Sequence, residues 1–372
     1  MKKVLFIYRI DQADPNNQGI VLKLKGQMEA FRSLGWSAER VIQDGSKILC
    51  ADQVIHTMSG HSRWYDQWRW YDRLEKVTHQ SYNFVIIRYG ISTAAKSRWI
   101  KKYKSLHPKV QIIWDMPTYP YTHEWSGVSG KIILAIDRQY RSQALPHIDA
   151  ILHSGREEEL WGVPTIHFPN GISADAVPLR KAKTHQGLRL IAVGKWRHWH
   201  GLDRLVHGMI HDRELVESHD IHLTIIGDGP ALQDLRAVIA HHDWLQPRIK
   251  LRGSLNGPAL DREFDQADIA IGTLGLHRKG VTINSSLKHR EYAMRGIPLI
   301  LSSEDSDFDT ALRFVRYVPT DDSDIRIEEL IKFYDSTGII SGDQIRSFAV
   351  AQLSWKSRIC HILAALSAEG SS

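Results

Sequence analysis

Residues Leu188–Val206 read "LRLIAVGKWRHWHGLDRLV". An apolar run ends in Gly194, a loop holding Lys195, Trp196, Arg197, His198, Trp199 and His200 follows, and Gly201 opens a stretch with helical spacing. The apolar run lacks the alternation of a strand with one wet face, so it predicts a strand buried on both sides, as in a parallel sheet. The same unit recurs at "IHLTIIG", "RIKLRG", "ADIAIG" and "IPLILS", and earlier at "KVLFIY", "NFVIIR", "VQIIW" and "IDAILH", each followed by a longer helical stretch. Strands alternating with helices require right-handed crossovers and a sheet covered on both faces, so the expected class is α/β, with doubly wound domains. At 372 residues the chain exceeds one ordinary core, and two domains are expected. The polar segment "SADAVPLRKAKTHQG" after "TIHFPNGI" has no apolar periodicity and is the best linker, placing a boundary near Gly171. The expected division is 1–171, 172–345 and a closing helix over 346–368.

Composition narrows the function. Hydrophobic residues make up 42% and charged residues 24%, and no run approaches the ~20 apolar residues of a membrane span. The start, "MKKVLFIYRIDQAD", reads as a first buried strand, because Arg9 and Asp11 cut short any signal-peptide apolar region. Cys50 and Cys360 give neither a disulfide framework nor a metal spacing, which fits a reducing cytoplasm. The +6 net charge is uneven, with 23 Lys+Arg against 16 Asp+Glu in residues 1–170, so the first half is expected to face something anionic. Its densest piece, "KSRWIKKYKSLHPK" (Lys96–Lys109), sets Trp99 and Tyr103 four apart among five lysines and an arginine. On a helix this face suits peripheral contact with anionic lipid at the inner membrane face; the alternative is a solvated helix whose aromatics pack on the sheet.

Ligands of open α/β sheets bind beyond the carboxyl ends of the strands, so the post-strand loops are searched for chemistry. Four such loops in the second half are "GKWRHWHG", "GDGP" (Gly227–Pro230), "RGSLNG" (Arg252–Gly257) and "GTLGLHRKGVTINSSLKHREY" (Gly272–Tyr292). In the last, Ser285 and Ser286 sit where an N-cap belongs, "LKHREYAMR" follows, and Gly296 can close the helix. The N–H groups and dipole of such a helix favour a phosphate. Glu291 then lies about one and a half turns along, where its carboxylate can accept hydrogen bonds from a ribose.

Taken together, "VGKWRHWHGLDRL", "IIGDGPALQDL", "GLHRKG…SSLKHREYAMRGIPLI" and the first-half "WDMPTYPYTHEW" resemble the retaining family 4 glycosyltransferases, nearest in pattern to those of bacterial capsule and exopolysaccharide assembly. That resemblance covers nearly the whole chain and implies the GT-B fold, two Rossmann-like domains facing across a cleft. It implies transfer of a sugar, with anomeric retention, from a nucleoside diphosphate donor (a UDP-sugar) to a lipid-linked glycan, with no essential metal. The family's diphosphate-binding Arg/Lys pair falls on Lys195 and His200, both departures: lysine lacks arginine's fork, and histidine is cationic only if a phosphate raises its pKa. Arg197, Arg204 or Lys288 are candidates to compensate. Gly19 resembles the glycine of the family's first loop, and Gly194, Gly227, Gly229, Ser254, Ser285, Ser286 and Glu291 complete the expected nucleotide site. The first acidic residue of the family's E-x7-E falls on Ile283, so only Glu291 remains, and loop residues 276–284 are expected to meet the sugar instead. The family's first-domain histidine is also missing. Asp115 stands there, counted with Lys195 and His200 as catalytic, and Thr118, Tyr119, Tyr121 and Glu124 are the acceptor-side candidates.

Other constellations weigh less. The D-x-D triplets at Asp305–Asp307, Asp307–Asp309 and Asp322–Asp324 resemble metal ligands but lie in polar loops, where turns and caps are the ordinary reading. Trp64, Trp68 and Tyr71 share a helical face that reads as core first and as a glycan or lipid surface second. Trp196 and Trp199 are read as packing under the loop. A nucleotide-sugar 2-epimerase and a basic nucleic-acid-binding protein are the competing functions; the neutral second half speaks against nucleic acid.

Overall fold

A computed structural model describes residues 1–58, 63–117, 119–122, 125, 127–181, 184–281, 283–338 and 340–369. The chain forms two units, Met1–Pro169 with Arg358–Ser372, and Asn170–Ser357. In the first are β1 (Lys3–Asp11), α1 (Gln18–Ser33), β2 (Ser37–Asp44), β3 (Lys47–Cys50), β4 (Gln53–Thr57), α2 (Arg63–Trp68), α3 (Glu75–Thr78), β5 (Phe84–Arg88), α4 (Ala94–Leu106), β6 (Gln111–Asp115), α5 (Gly127–Ala144), β7 (Ala150–His153), β8 (Glu159–Leu160) and β9 (Val163–His167). In the second are β10 (Arg189–Val193), α6 (Leu202–His211), α7 (Arg213–Ser218), β11 (His222–Ile226), α8 (Ala231–Ala240), β12 (Ile249–Leu251), α9 (Gly257–Asp265), β13 (Ile269–Ile271), β14 (Ile283–Asn284), α10 (Leu287–Met294), β15 (Leu299–Leu301), β16 (Glu304–Asp305), β17 (Val315–Tyr317), α11 (Ile327–Thr337) and α12 (Gly342–Phe348); α13 (Trp355–Glu369) starts there.

The second unit is built on one six-stranded sheet of order β12-β11-β10-β13-β15-β17, all pairs parallel. In chain sequence that is 3-2-1-4-5-6, the order of a dinucleotide-binding fold, and it reverses direction between β10 and β13. Both faces are covered, as the continuous apolar runs require: Leu190, Ile191, Ala192, Ile269, Ala270 and Ile271 are all buried. Each of these Leu and Ile side chains contributes roughly 1.5–3 kcal/mol against exposure. The first unit has nine strands in the order β4-β3-β2-β1-β5-β6-β7-β9-β8. Its six parallel strands run 2-1-3-4-5-6 in chain sequence and reverse between β1 and β5. The antiparallel β3, β4 and β8 were not read from the sequence.

The segment read as a linker is fastened to the second unit. Ile172 pairs with Leu353 and Trp355 through backbone hydrogen bonds, and the Arg346 guanidinium donates to the carbonyls of Ala174, Val177 and Met294. The Arg180 N–H donates to Arg295, and its guanidinium to Ala267. Backbone hydrogen bonding leaves no hydropathic trace, which is why a polar stretch looked loose.

Candidate functional site

The reversal point of the second unit brings the opening loop to the loop after β13. Gly194 continues β10, Trp196 is fully buried, His198–His200 form one 3₁₀ turn, and Gly201, at φ 68°, starts α6. The loop is sewn to its neighbours: Trp196 N–H donates to Asp228 O (2.8 Å), its indole Nε1–H to Ile226 O (3.0 Å), and Gly227 N–H to Gly253 O (2.6 Å). On the other side Leu274 N–H donates to His200 O at 2.9 Å. Gly227 (φ 111°) and Gly229 (φ 155°) are needed for this approach, since a Cβ at either would run into the carbonyl oxygen of Gly194 or of Trp196.

Helix α10 points its N-terminus into the same place. Tyr292 anchors it, its hydroxyl accepting from Val193 N–H (2.9 Å) at the end of β10 and lying 3.3 Å from Ile271 O at the end of β13. Beneath it His289 and Arg290 are wholly buried against Asp305, with Nδ1 of His289 2.9 Å from the carboxylate and Arg290 bridging both Asp305 and Asp307. Burial disfavours the Asp305 charge, yet Arg290 and His289 hold the carboxyl down at about 2. The Asp305–Asp307 triplet therefore belongs to a structural ion pair.

The predicted residues divide into two groups. Ser286 is the N-cap of α10 and makes no side-chain cap bond, leaving its hydroxyl beside the first-turn N–H groups. Lys288 is the second residue of α10, in its first turn. Its stem is half-buried, but Nζ is sealed from solvent, makes no hydrogen bond among the described residues, and lies 5.2 Å from the centroid of the Trp196 ring. Burial pulls its pKa down to about 7. His200 meets the other side of this arrangement, its ring 5.3 Å from Trp196. Burial, then the charge of Lys288, depress its pKa to about 3. Nδ1 accepts from Arg197 N–H at 2.9 Å, which leaves Nε2 to carry the proton. Without a phosphate His200 is a neutral N–H donor, in keeping with the condition set on its charge above. Lys195 and Arg197 are exposed on the same loop, and Lys279 lies over the Trp199 ring at 4.7 Å. Gly194 and Gly229 line the turn beside them.

The second group is occupied elsewhere. Arg204 is buried, and donates to the carbonyls of Leu274, Pro319 and Ser323, so it is a strut between loops rather than a compensating phosphate ligand. Ser285 is buried and its hydroxyl accepts from Asn170 N–H at 2.7 Å. Ser254 donates to Asp228 at 2.7 Å. Glu291 pairs through Oε1 with Arg295 (2.9 Å), which also binds Asp261; its Oε2 accepts no hydrogen bond among the described residues. In the loop expected to meet the sugar, Leu276 is buried and Arg278 donates bidentately to Asp203 and through Nε to Asp322. Thr282 of that loop lies outside the described residues.

In the first unit Gly19 is exposed in the first turn of α1, with open space where a Cβ would be. Asp115, at the end of β6, is 2% exposed and accepts from Tyr8 (2.5 Å) and Lys23 (3.2 Å), with Arg88 at 3.9 Å. Burial opposes its charge, but Lys23 and Arg88 prevail and its pKa is lowered. A carboxylate so enclosed orders the strand ends rather than touching a sugar. Tyr121 is buried in a network with Tyr89, Asp137 and Arg141, which accounts for it as packing; Tyr119 is exposed beside Trp161. Thr118 and Glu124 lie outside the described residues. The lipid-facing reading of α4 is corrected: Trp99 and Tyr103 are buried, Lys96 is buried, and Lys104 is bound to Asp149 at 2.8 Å, leaving Lys101 and Lys102 exposed without aromatics. Tyr71 is buried and Trp68 half-buried, as core packing requires; the Trp64 side chain is outside the description.

No protein-family model matches the sequence, and a search of curated proteins finds no relative. Solved structures do match. A pneumococcal O-GlcNAc transferase, GtfA, in complex with UDP and GlcNAc aligns over 96% of this chain and 97% of its own, with a TM-score of 0.61 at 10% identity. The catalytic domain of starch synthase IV from Arabidopsis thaliana, bound to ADP and acarbose, aligns over 100% of both chains, with a TM-score of 0.63 at 10% identity. The chain has the GT-B fold. A putative UDP-N-acetylglucosamine 2-epimerase from Listeria monocytogenes shares this GT-B likeness, over 99% of this chain and 97% of its own, with a TM-score of 0.54 at 14% identity. Among the described residues no helix is long and apolar enough to cross a membrane, and no group of His, Cys, Asp or Glu is placed to hold a metal.

Proposed function

We propose that this GT-B protein is a glycosyltransferase whose second unit binds a nucleoside diphosphate sugar at the β10/β13 reversal. The observation that carries the reading is Lys288: a sealed amine at a helix N-terminus with no hydrogen-bond partner among the described residues, on the side of Lys195, Arg197 and the His200 Nε2–H. An uncompensated buried cation is costly, and an anion that supplies its partner recovers that cost. A diphosphate suits the place because it also takes up the first-turn N–H groups of α10. During transfer the bond from the anomeric carbon to the phosphate oxygen breaks, and negative charge grows on the diphosphate. Fixed donors aimed there stabilise that charge more in the transition state than before it. The acceptor hydroxyl forms the new bond on the same face, and its proton passes to the departing phosphate oxygen, so configuration is retained.

The remaining parts of the proposal are a UDP-sugar donor, the free oxygen of Glu291 as ribose acceptor, a growing surface glycan as acceptor, and no requirement for a metal. The test is to incubate the protein with single nucleotide sugars, with and without a mixed glycan acceptor, in a chelator, and to follow release of nucleoside diphosphate. Acceptor-dependent release supports the reading. The likeness to the putative epimerase sustains a second reading, and interconversion of the donor sugar without acceptor would establish that one instead.

A further inference from the structure

The first unit has its own reversal point, between β1 and β5, and a cavity of about 200 Å³ opens there. Arg9, at the end of β1, lines it together with Arg88, Tyr89 and Gly90 from the end of β5, Tyr71, and Lys96 from the first turn of α4. Three cations thus converge where open α/β sheets bind ligands, and none of the lining residues is acidic. The carboxylates that act on this lining are already engaged. Asp115 is held by Tyr8 and Lys23, and Asp137 accepts from Ser92 N–H, Tyr89, Tyr121 and Arg141.

The cations themselves are poorly served. Lys96 is 2% exposed; its Nζ donates to Gly90 O at 3.2 Å and otherwise faces the rings of Tyr89 (4.6 Å) and Trp114 (5.2 Å). Among the described residues Arg9 gives one hydrogen bond, to Gln67 O at 2.9 Å, from a guanidinium with five N–H donors. Arg88 stands 3.9 Å from Asp115, beyond hydrogen-bond reach, with its guanidinium 5.7 Å from the Tyr8 ring. Burying three cations around one cavity whose nearest carboxylate, Asp115, is shared between Arg88, Lys23 and Tyr8 is unfavourable twice over, through desolvation and through repulsion. One small oxyanion relieves both. The volume is below the ~300–1,000 Å³ of a pocket for a drug-sized ligand, so it takes a substituent rather than a whole glycan.

We propose that Arg9, Arg88 and Lys96 bind the phosphate or carboxylate of an anionic sugar, and that the acceptor carries this group. Calling that sugar the acceptor rests on the glycosyltransferase reading; the anion site stands on the cavity alone. Tyr71 and Tyr89 then bound the sugar side of the site.

The test is isothermal titration with glucose 6-phosphate, glucuronate, inorganic phosphate and neutral glucose, repeated on Lys288→Met protein so that only the first unit reports. Glucose 6-phosphate or glucuronate is expected to bind where glucose does not, and whichever binds tighter identifies the anion. Lys96→Met and Arg9→Gln should each weaken that binding by tenfold or more and leave nucleoside diphosphate binding unchanged. Lys96→Met removes an unpaired buried charge, so its melting temperature without ligand should hold or rise, which guards against a folding artefact. Failure of every anion to bind at millimolar concentration, or equal binding by wild type and Lys96→Met, overturns the proposal. If anions bind as stated but no nucleoside diphosphate does, the glycosyltransferase reading and the word acceptor fall while the anion site stands. If nucleoside diphosphates bind and anions do not, the reverse holds.

Discussion

Because Lys288 titrates near 7 in the free protein, nucleoside diphosphate binding should take up a proton. A diphosphate against Nζ favours the ammonium and returns its pKa toward the ordinary ~10.4. At pH 7 about half the free molecules carry the charge, and at pH 9 about one in a hundred, so affinity should fall about 50-fold between the two, or roughly 2.3 kcal/mol. Titration calorimetry in buffers of differing ionisation heat should find close to one proton taken up per complex at pH 9 and about half of one at pH 7. Lys288→Met should flatten this profile and bind weakly throughout. Lys288→Arg, charged at every pH, should be flat and stay tight at pH 9. Lys96 also has its pKa lowered to about 7 by burial, but Lys96→Met should leave the slope intact because that residue lies in the first unit. A flat wild-type profile, or a slope that survives in Lys288→Met, would refute the reasoning.

Three further outcomes are expected. Gly227→Ala places a Cβ against Gly194 O at φ 111° and should cost about 2–4 kcal/mol, read as a lowered denaturation midpoint. Asp305→Asn breaks the buried pair with Arg290 and should cost about 3–5 kcal/mol. With its folded pKa near 2 against 3.8 unfolded, Asp305 contributes stability above pH 4 that is lost as pH falls toward 2, so the variant should show a shallower acid transition. Glu291→Ala should lower donor affinity ten- to a hundredfold at little cost in stability, because Arg295 keeps Asp261; unchanged affinity would remove Glu291 from the ribose.

The fold was legible wherever apolar runs and turn residues coincided. The pattern around β10, with Gly194 and Gly201 as punctuation, was enough to place a buried strand, a loop and a helix in the right order. Gly296 closes α10 in the left-handed region, φ 71°, as read. Partnership was what the sequence concealed. Arg204, Arg278 and Lys288 are all cations near one loop; two prove to be tied to carbonyls and carboxylates from residues 319–323, and the third makes no hydrogen bond among the described residues. Sequence distance hides such pairs, since Arg204 meets Pro319 more than a hundred residues away. The same applies to the first unit, where Arg9 and Lys96 are unremarkable in sequence and converge only because β1 and β5 are neighbours in the sheet.

The central claim is that the β10/β13 reversal binds a nucleoside diphosphate. The most direct measurement is thermal shift and calorimetry with UDP, GDP, ADP, CMP and dTDP, without metal, on wild type and Lys288→Met. The account predicts selective binding of one nucleoside diphosphate that is lost in the variant. Binding of none of them, or equal binding by both proteins, would contradict it.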